Sequence, residues 1–125
     1  MKRLNMLLIT LFTLCLAAFK LHAADISPEK FLKLDKSQRT LLDVRTIEEY
    51  ADGHIPTAIN MPVGELSSLY SSLPEKDKQI VVYCRSGFRA ARAISFLKDK
   101  GFTNVLHLEG DYGQWEKDAR EIVTP

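Results

Sequence analysis

The apolar positions of this chain form patterns that predict short strands alternating with helices. Four apolar runs are typical of strands, at residues 40–44, 58–61, 80–83 and 104–108. The run at 80–83 has no polar alternation, as expected of a central strand buried on both faces. Between the runs, apolar residues recur at helical spacing, as at Ala90, Ala93, Ile94 and Leu97. This order predicts an α/β domain with a mainly parallel sheet covered by helices on both faces.

Cap residues indicate where the predicted helices begin and end. Ser27 before Pro28 is typical of a helix start, and Thr46 with Glu49 three residues later predicts a capping box. Gly101 supplies the left-handed residue that ends the helix following 80–83. Two further helices are predicted at residues 65–73 and 111–121.

Residues 1–24 predict a secretory signal peptide that is not part of the fold. Lys2 and Arg3 precede an apolar run, and the small residues Ala23 and Ala24 follow it. The run is shorter than the roughly 20 residues that a membrane-spanning helix needs. We therefore expect cleavage after Ala23 or Ala24, with an uncleaved membrane anchor as the alternative. Residues 25–125 then form a single domain, because they are too few for two hydrophobic cores.

Export changes both the charge and the cysteine content of the protein. Of 17 cationic and 16 acidic residues, the signal segment carries three cations and no acid, which leaves a net charge of −2. This balance gives no electrostatic reason to expect nucleic-acid binding. Cys15 leaves with the signal, so Cys84 remains as the one thiol. We expect a monomer, periplasmic in a Gram-negative cell and otherwise secreted, without stable membrane association after cleavage.

Cys84 lies where a predicted buried strand meets the start of a helix. Unpaired backbone N–H groups and the helix dipole favour negative charge at such a position. Arg85 and Arg89 add two guanidinium groups, and Gly87 allows the backbone to turn tightly around the sulfur. The sequence therefore predicts an activated nucleophile that also attracts an anion. A buried cysteine that only fills space is the alternative.

Three ordered motifs resemble the rhodanese-like sulfurtransferases in their single-domain exported form. The motifs are 41–45 with 49–56, the loop 84–89, and 108–110 with Trp115. The resemblance implies a rhodanese-like fold with about five strands in the central sheet. It also implies a thiosulfate sulfurtransferase that carries sulfur as a persulfide on Cys84.

The length of the loop distinguishes sulfur transfer from the phosphatase and arsenate reductase activities of proteins with the same fold. Phosphatases and arsenate reductases of the same fold place five residues between cysteine and arginine. Here four residues separate Cys84 from Arg89, which makes a smaller cradle suited to a sulfane sulfur. The sequence also departs from the family at Thr57 and Asp111, where glycine is usual. We expect both departures to lie away from the loop and to affect only local turns.

The predicted reaction is covalent catalysis with Cys84 as its nucleophile. The Cys84 thiolate takes the outer sulfur of a small anionic donor such as thiosulfate, and a thiol or cyanide then accepts it. Backbone N–H groups of the loop are expected to converge on the sulfur. The substrate-binding residues are predicted to be Arg85, Ser86, Gly87, Phe88 and Arg89. No metal or cofactor is expected, because the histidines and the remaining cysteine lack ligand spacing.

Several roles remain open at this point. Arg89 could brace the loop instead of binding the anion. A carrier or partner-binding module without turnover is the main alternative to an enzyme. A thiol redox protein is disfavoured because no second thiol follows Cys84. Asp43 and Arg45 are predicted to pair with neighbouring loops, and His54 is predicted to brace a turn.

Overall fold

The computed structural model describes residues 24–125 and contains one parallel sheet. The signal peptide predicted at residues 1–24 therefore lies outside the described residues, apart from Ala24. The strands are Asp25–Ile26 (β1), Arg39–Asp43 (β2), Ile59–Asn60 (β3), Gln79–Tyr83 (β4) and Val105–Leu108 (β5). They are arranged in the order β1-β5-β4-β2-β3, and each neighbouring pair is parallel. The predicted five-stranded parallel sheet is confirmed.

Within residues 24–125, four α-helices lie between consecutive strands and a fifth follows β5. They are Pro28–Leu32 (α1), Ile47–Asp52 (α2), Leu66–Leu69 (α3), Phe88–Asp99 (α4) and Asp111–Lys117 (α5). Short 3₁₀ turns lie at Lys36–Gln38, Val63–Glu65 and Tyr70–Ser72. Within the described part of the chain, no helix has the length and apolar character needed to cross a bilayer.

The helix predicted at 65–73 is only partly formed. One α-helical turn, α3, lies between two 3₁₀ turns instead of continuing through the segment. Serine side chains weaken helices because they bond to nearby backbone groups. The Ser72 hydroxyl does this, since it donates to the carbonyl oxygen of Leu69 at 2.8 Å.

The predicted helix caps are confirmed. The Lys30 N–H donates to Ser27 Oγ at 3.2 Å, and Thr46 and Glu49 form both bonds of a capping box. Gly101 is left-handed, with φ 92°, and the Phe102 N–H donates to the Leu97 carbonyl. This arrangement is a Schellman motif, and it places the Phe102 ring in the core.

The last helix is shorter than the predicted 111–121. It ends at Lys117, and Ala119 adopts the left-handed conformation with φ 52°. The Arg120 N–H donates to the Trp115 carbonyl at 3.2 Å, so alanine here occupies the position that glycine occupies after α4. This helix end could not be predicted, because alanine, unlike glycine, is not a residue type that indicates a left-handed conformation.

The sheet separates two apolar clusters. Alternate residues of β2 and β4 point to opposite faces, so Leu42 and Val82 contact α4 while Leu41 and Val81 face α1 and α5. Cys84 belongs to the α4 side, and Trp115 belongs to the other side. The central strand β4 is therefore buried on both faces, as its uninterrupted apolar run predicts.

A buried ion pair lies at the carboxyl end of β2. Arg45 donates from Nη2 to Asp43 Oδ2 at 2.7 Å, and both side chains are almost completely buried. The Tyr83 hydroxyl of β4 also donates to Asp43 Oδ2, and Arg45 donates to the Gly53 carbonyl after α2. Burial opposes the charged guanidinium, but the hydrogen bonds with Asp43 hold the pKa of Arg45 above its usual value. Asp43 and Arg45 thus pair mainly with each other, whereas the sequence predicted pairing with loops.

We predict that Arg45→Met destabilises the domain by about 3–5 kcal/mol, because it leaves the Asp43 carboxylate buried without its cation. Urea unfolding followed by circular dichroism measures this loss. The double variant Asp43→Leu/Arg45→Met should cost less than the sum of the single changes, since no charge then stays buried. Glu29→Gln, which removes one partner of the exposed pair with Arg120, is the control and should cost much less. A loss of stability in Glu29→Gln as large as that in Arg45→Met would contradict the prediction.

Candidate active site

Cys84 immediately follows β4 and is 1% exposed. Its backbone N–H donates to Asp111 Oδ1 at 3.0 Å, which fixes the start of the loop. The carbonyl oxygens of Cys84 and Arg85 accept the N–H groups of Tyr112 and Gly113 in the first turn of α5. The loop is therefore held against α5 by three bonds that involve its backbone, before any substrate binds.

The sulfur lies at the beginning of α4. The Gly87 N–H donates to Cys84 Sγ at 3.0 Å, and Gly87 has the left-handed φ of 107° that this close turn requires. Among the N–H groups of residues 85–89, this is the one that hydrogen-bonds to the sulfur. Since α4 is 12 residues long, its N-terminal dipole also favours negative charge at this point.

The two loop arginines have different surroundings. Arg89 forms a bidentate pair with Glu49, with Nη1–Oε1 at 2.6 Å and Nη2–Oε2 at 3.1 Å. The hydrogen bond from Arg89 lowers the pKa of Glu49 to about 2. Arg85 is exposed, and its guanidinium forms no ion pair within residues 24–125. The geometry thus favours Arg85 as the cation for an incoming anion and Arg89 as a brace between α4 and α2.

A small cavity of about 150 Å³ opens beside the loop. Arg45, Arg85 and Tyr112 are among its lining residues, together with three carboxylates. Cavities that hold drug-sized ligands usually begin at roughly 300 Å³. The size of this cavity therefore limits it to a small molecule or ion.

The remaining loop residues face solvent. Ser86 is exposed, and Phe88 is 82% exposed at the first position of α4. Ile47, the first residue of α2, is also exposed. Because the Arg89–Glu49 pair joins these two helices near their N-termini, Phe88 and Ile47 are apolar residues on elements that border the site.

The expectation that Asp111 lies away from the loop is wrong. Its carboxylate accepts the Cys84 N–H, and it also lies 3.0 Å from His107 Nε2. The other ring nitrogen of His107 lies 2.9 Å from Asp25 Oδ1. A chain of hydrogen bonds therefore runs from β1 through β5 to the start of the cysteine loop. Sequence reasoning missed it because it treated Asp111 only as a replacement for glycine in a turn.

Both departures from the family pattern retain a glycine-like backbone. Thr57 has φ 74° and Asp111 has φ 55°. Such angles are uncommon for residues with a side chain, and especially for a β-branched one. Hydrogen bonds accompany both: Arg39 Nη1 donates to Thr57 Oγ1 at 2.6 Å, and Asp111 holds the Cys84 N–H. Thr57 lies outside the loop, as expected.

His54 contacts Tyr50 and Val123 and does not hydrogen-bond to the Cys84 sulfur. Its Nδ1 lies 2.9 Å from the Tyr50 carbonyl oxygen, and its ring stacks on Tyr50 with centroids 3.7 Å apart. The backbone of His54 also pairs with Val123 in an isolated bridge. These contacts agree with the predicted role in bracing a turn.

Fold and site together define a class of parallel α/β domains with a buried cysteine at the carboxyl end of a central strand. Residues 27–118 match the family model described as Rhodanese-like domain, and the chain belongs to this family. A protein named Sulfurtransferase from Allochromatium vinosum is 37% identical over 91 residues, which cover 73% of this chain and 84% of that protein.

Solved structures agree with this assignment. A rhodanese-related protein from Thermoplasma volcanium has a TM-score of 0.71 and 32% identity, covering 80% of this chain and 97% of that one. The human single-domain sulfurtransferase TSTD1 has a TM-score of 0.69 and 31% identity, covering 77% and 97% respectively. The chain is thus a rhodanese-like domain of the sulfurtransferase type.

Some relatives are much longer proteins. The tRNA uridine(34) hydroxylase of Salmonella agona is 34% identical over 110 residues, which cover 84% of this chain but 30% of the hydroxylase. The similarity therefore concerns the shared domain and not the whole hydroxylase.

We predict that the contribution of His107 to stability falls as pH rises. The hydrogen bond with Asp111, opposed by burial, raises the pKa of His107 above its usual value. A raised folded-state pKa stabilises the domain fully below the unfolded value of about 6.5, and this stability is lost as pH rises through the folded value. Urea unfolding at a series of pH values should show the native chain losing its advantage over His107→Gln.

Asp25→Asn provides the control for this pH dependence. It removes the second carboxylate that raises the pKa of His107, so the loss of stability should move to lower pH. A difference between the native chain and His107→Gln that stays constant with pH would contradict the prediction.

Proposed function

We propose that this protein is a sulfurtransferase that carries a sulfane sulfur as a persulfide on Cys84. The observation that carries the proposal is the bond from the Gly87 N–H to Cys84 Sγ at 3.0 Å, at the N-terminus of α4. Neutral donors placed there favour a thiolate before the reaction and a persulfide anion after it. The exposed Arg85 at the edge of the small cavity supplies a cation for a compact anionic donor such as thiosulfate.

The proposed reaction has two balanced halves. The Cys84 thiolate attacks the outer sulfur of thiosulfate, the S–S bond of the donor breaks, and sulfite leaves with the bonding electrons. A nucleophilic acceptor then attacks the outer sulfur of the persulfide. With cyanide the product is thiocyanate, and the Cys84 thiolate leaves unchanged. No general base is needed, because the reaction begins from an ionised thiol.

We predict that incubation with thiosulfate adds one sulfur atom to the protein and that cyanide removes it as thiocyanate. Intact-protein mass spectrometry measures the first step, and a colorimetric thiocyanate assay measures the second. Cys84→Ser should form no adduct. An adduct that survives this change would overturn the proposal, and so would hydrolysis of p-nitrophenyl phosphate by a chain that gains no sulfur.

The same assay separates the roles of the two loop arginines. Arg85→Met should raise the KM for thiosulfate by about tenfold with little change in kcat, because it removes one charge-assisted contact. Arg89→Met should mainly lower stability, since it breaks the pair with Glu49. Arg92→Met, on the exposed face of α4, is the matched control and should change neither constant. A higher KM in Arg89→Met alone would reverse the assignment.

A carrier that passes sulfur to a partner protein is the second candidate function. The 82% exposed Phe88 favours it, because an apolar side chain beside a reactive loop is a contact point for a protein surface. Complete formation of the persulfide together with negligible turnover on cyanide would favour this carrier over the enzyme.

We also propose that the protein is exported and cleaved after Ala23. The Ala24 carbonyl accepts the His107 N–H at 3.0 Å, which extends the pairing between β1 and β5. Cleavage after Ala24 would remove this bond, whereas cleavage after Ala23 retains it. The mass of protein recovered from the periplasm of a Gram-negative host should correspond to a chain beginning at Ala24. A chain beginning at Asp25, or full-length protein in the membrane fraction, would contradict this prediction.

A further inference from the structure

A second cavity lies on the side of the sheet away from Cys84. It has a volume of about 310 Å³, which reaches the lower end of the range for small-molecule sites. Its apolar lining includes Phe31, Ile55 and Trp115, which belong to the cluster formed by α1 and α5. None of its lining residues belongs to the cysteine loop. We call it the Trp115 cavity.

The charged residues around the Trp115 cavity are predominantly cationic. Lys36, Arg39 and Arg120 line it, with Glu121 as the single carboxylate. Arg120 already pairs with Glu29 on the protein surface. Lys36 and Arg39 form no ion pair within residues 24–125. The cavity therefore combines an apolar floor with an excess of positive charge.

Arg39 has an incomplete set of partners. Its guanidinium lies over the Phe31 ring at 4.3 Å, and Nη1 donates to Thr57 Oγ1 at 2.6 Å. Its Nε is buried and has no hydrogen-bond partner in the described part of the chain. Burial lowers the pKa of Arg39, which means that the surroundings oppose its charge. Arg39 as a whole is half-buried, so an anion held by a ligand would compensate the part of the guanidinium that has lost contact with water.

We propose that the Trp115 cavity binds a small organic monoanion with an aromatic or short aliphatic body. The apolar body would lie against Leu32 and Pro56, because Phe31 and Trp115 beneath them are only 1% and 2% exposed. The anionic group would lie toward Arg39 and Lys36. A volume of about 310 Å³ corresponds to roughly ten water molecules, which limits the ligand to a compact molecule. The site is separate from sulfur transfer, so it does not depend on the function proposed above.

Trp115 provides a direct readout, because it is the only tryptophan of the 125-residue chain. The probe is 4-phenylbutyrate, and the neutral comparison compound is 4-phenylbutan-1-ol. Titration of the full chain with 4-phenylbutyrate should change the Trp115 fluorescence saturably at millimolar concentrations. The alcohol should bind about tenfold more weakly, because it cannot pair with Arg39. Added salt should weaken binding of the acid but not of the alcohol.

Substitutions test the cation directly. Arg39→Met should weaken binding of 4-phenylbutyrate about tenfold and leave the alcohol unaffected. Lys98→Met removes an exposed cation from α4 and is the matched control, with no expected effect. Circular dichroism shows whether each variant is folded. If Arg39→Met fails to fold, Lys36→Met on the exposed rim replaces it, with a smaller loss of affinity expected.

Three results would overturn the proposal. They are the absence of a saturable response, equal affinity for acid and alcohol, and unchanged affinity for the acid in the cation variant used. None of them affects the addition of sulfur to Cys84. Conversely, failure of Cys84 to take up sulfur would leave the fluorescence titration unchanged, so the two proposals fail independently.

Discussion

The buried pair of Asp43 and Arg45 is the constraint on which the rest of this domain depends. A buried charge needs hydrogen bonds or an opposite charge from the protein in place of water, and the partners of this pair lie on several helices and strands. Tyr83 donates to Asp43 from β4, the Gly53 carbonyl accepts from Arg45 after α2, and Arg45 lies 4.1 Å above the Tyr112 ring of α5. Since Cys84 directly follows Tyr83, the position of the sulfur is tied to this network.

The sulfur is held by backbone geometry and not by a neighbouring base. Its residue is anchored at the N–H by Asp111, and the sulfur itself accepts from Gly87. A backbone donor needs no change of protonation state when negative charge develops beside it, which is the property that the proposed persulfide on Cys84 requires. Ala90, in the first turn of α4, is completely buried in the apolar cluster that also contains Cys84. These contacts determine where the Cys84 side chain lies at the end of β4.

Features encoded within a few residues could be predicted from the sequence. The capping box at Thr46 and the stop at Gly101 depend on bonds between residues no more than five apart, so both were found. The contact between Asp111 and Cys84 spans 27 residues, and only the folded sheet brings the two together. Strand β1 has two residues, too few for any periodic pattern. The pairing of Glu49 with Arg89 could not be predicted, because the two residues are 40 positions apart and the sequence around Glu49 indicates only its role in the capping box.

Tyr83 and His107 make the two sides of the cysteine respond differently to acidity. Burial raises the pKa of Tyr83 above its usual value, so its hydroxyl remains a donor to Asp43 at any ordinary pH. The pKa of His107, on the opposite side, is raised by its hydrogen bond with Asp111, and Asp111 also holds the Cys84 backbone. A change in pH therefore acts on one wall of the site and leaves the other unchanged. Cys84 thus lies between the Tyr83–Asp43 hydrogen bond, which does not depend on pH, and the His107–Asp111 interaction, which does.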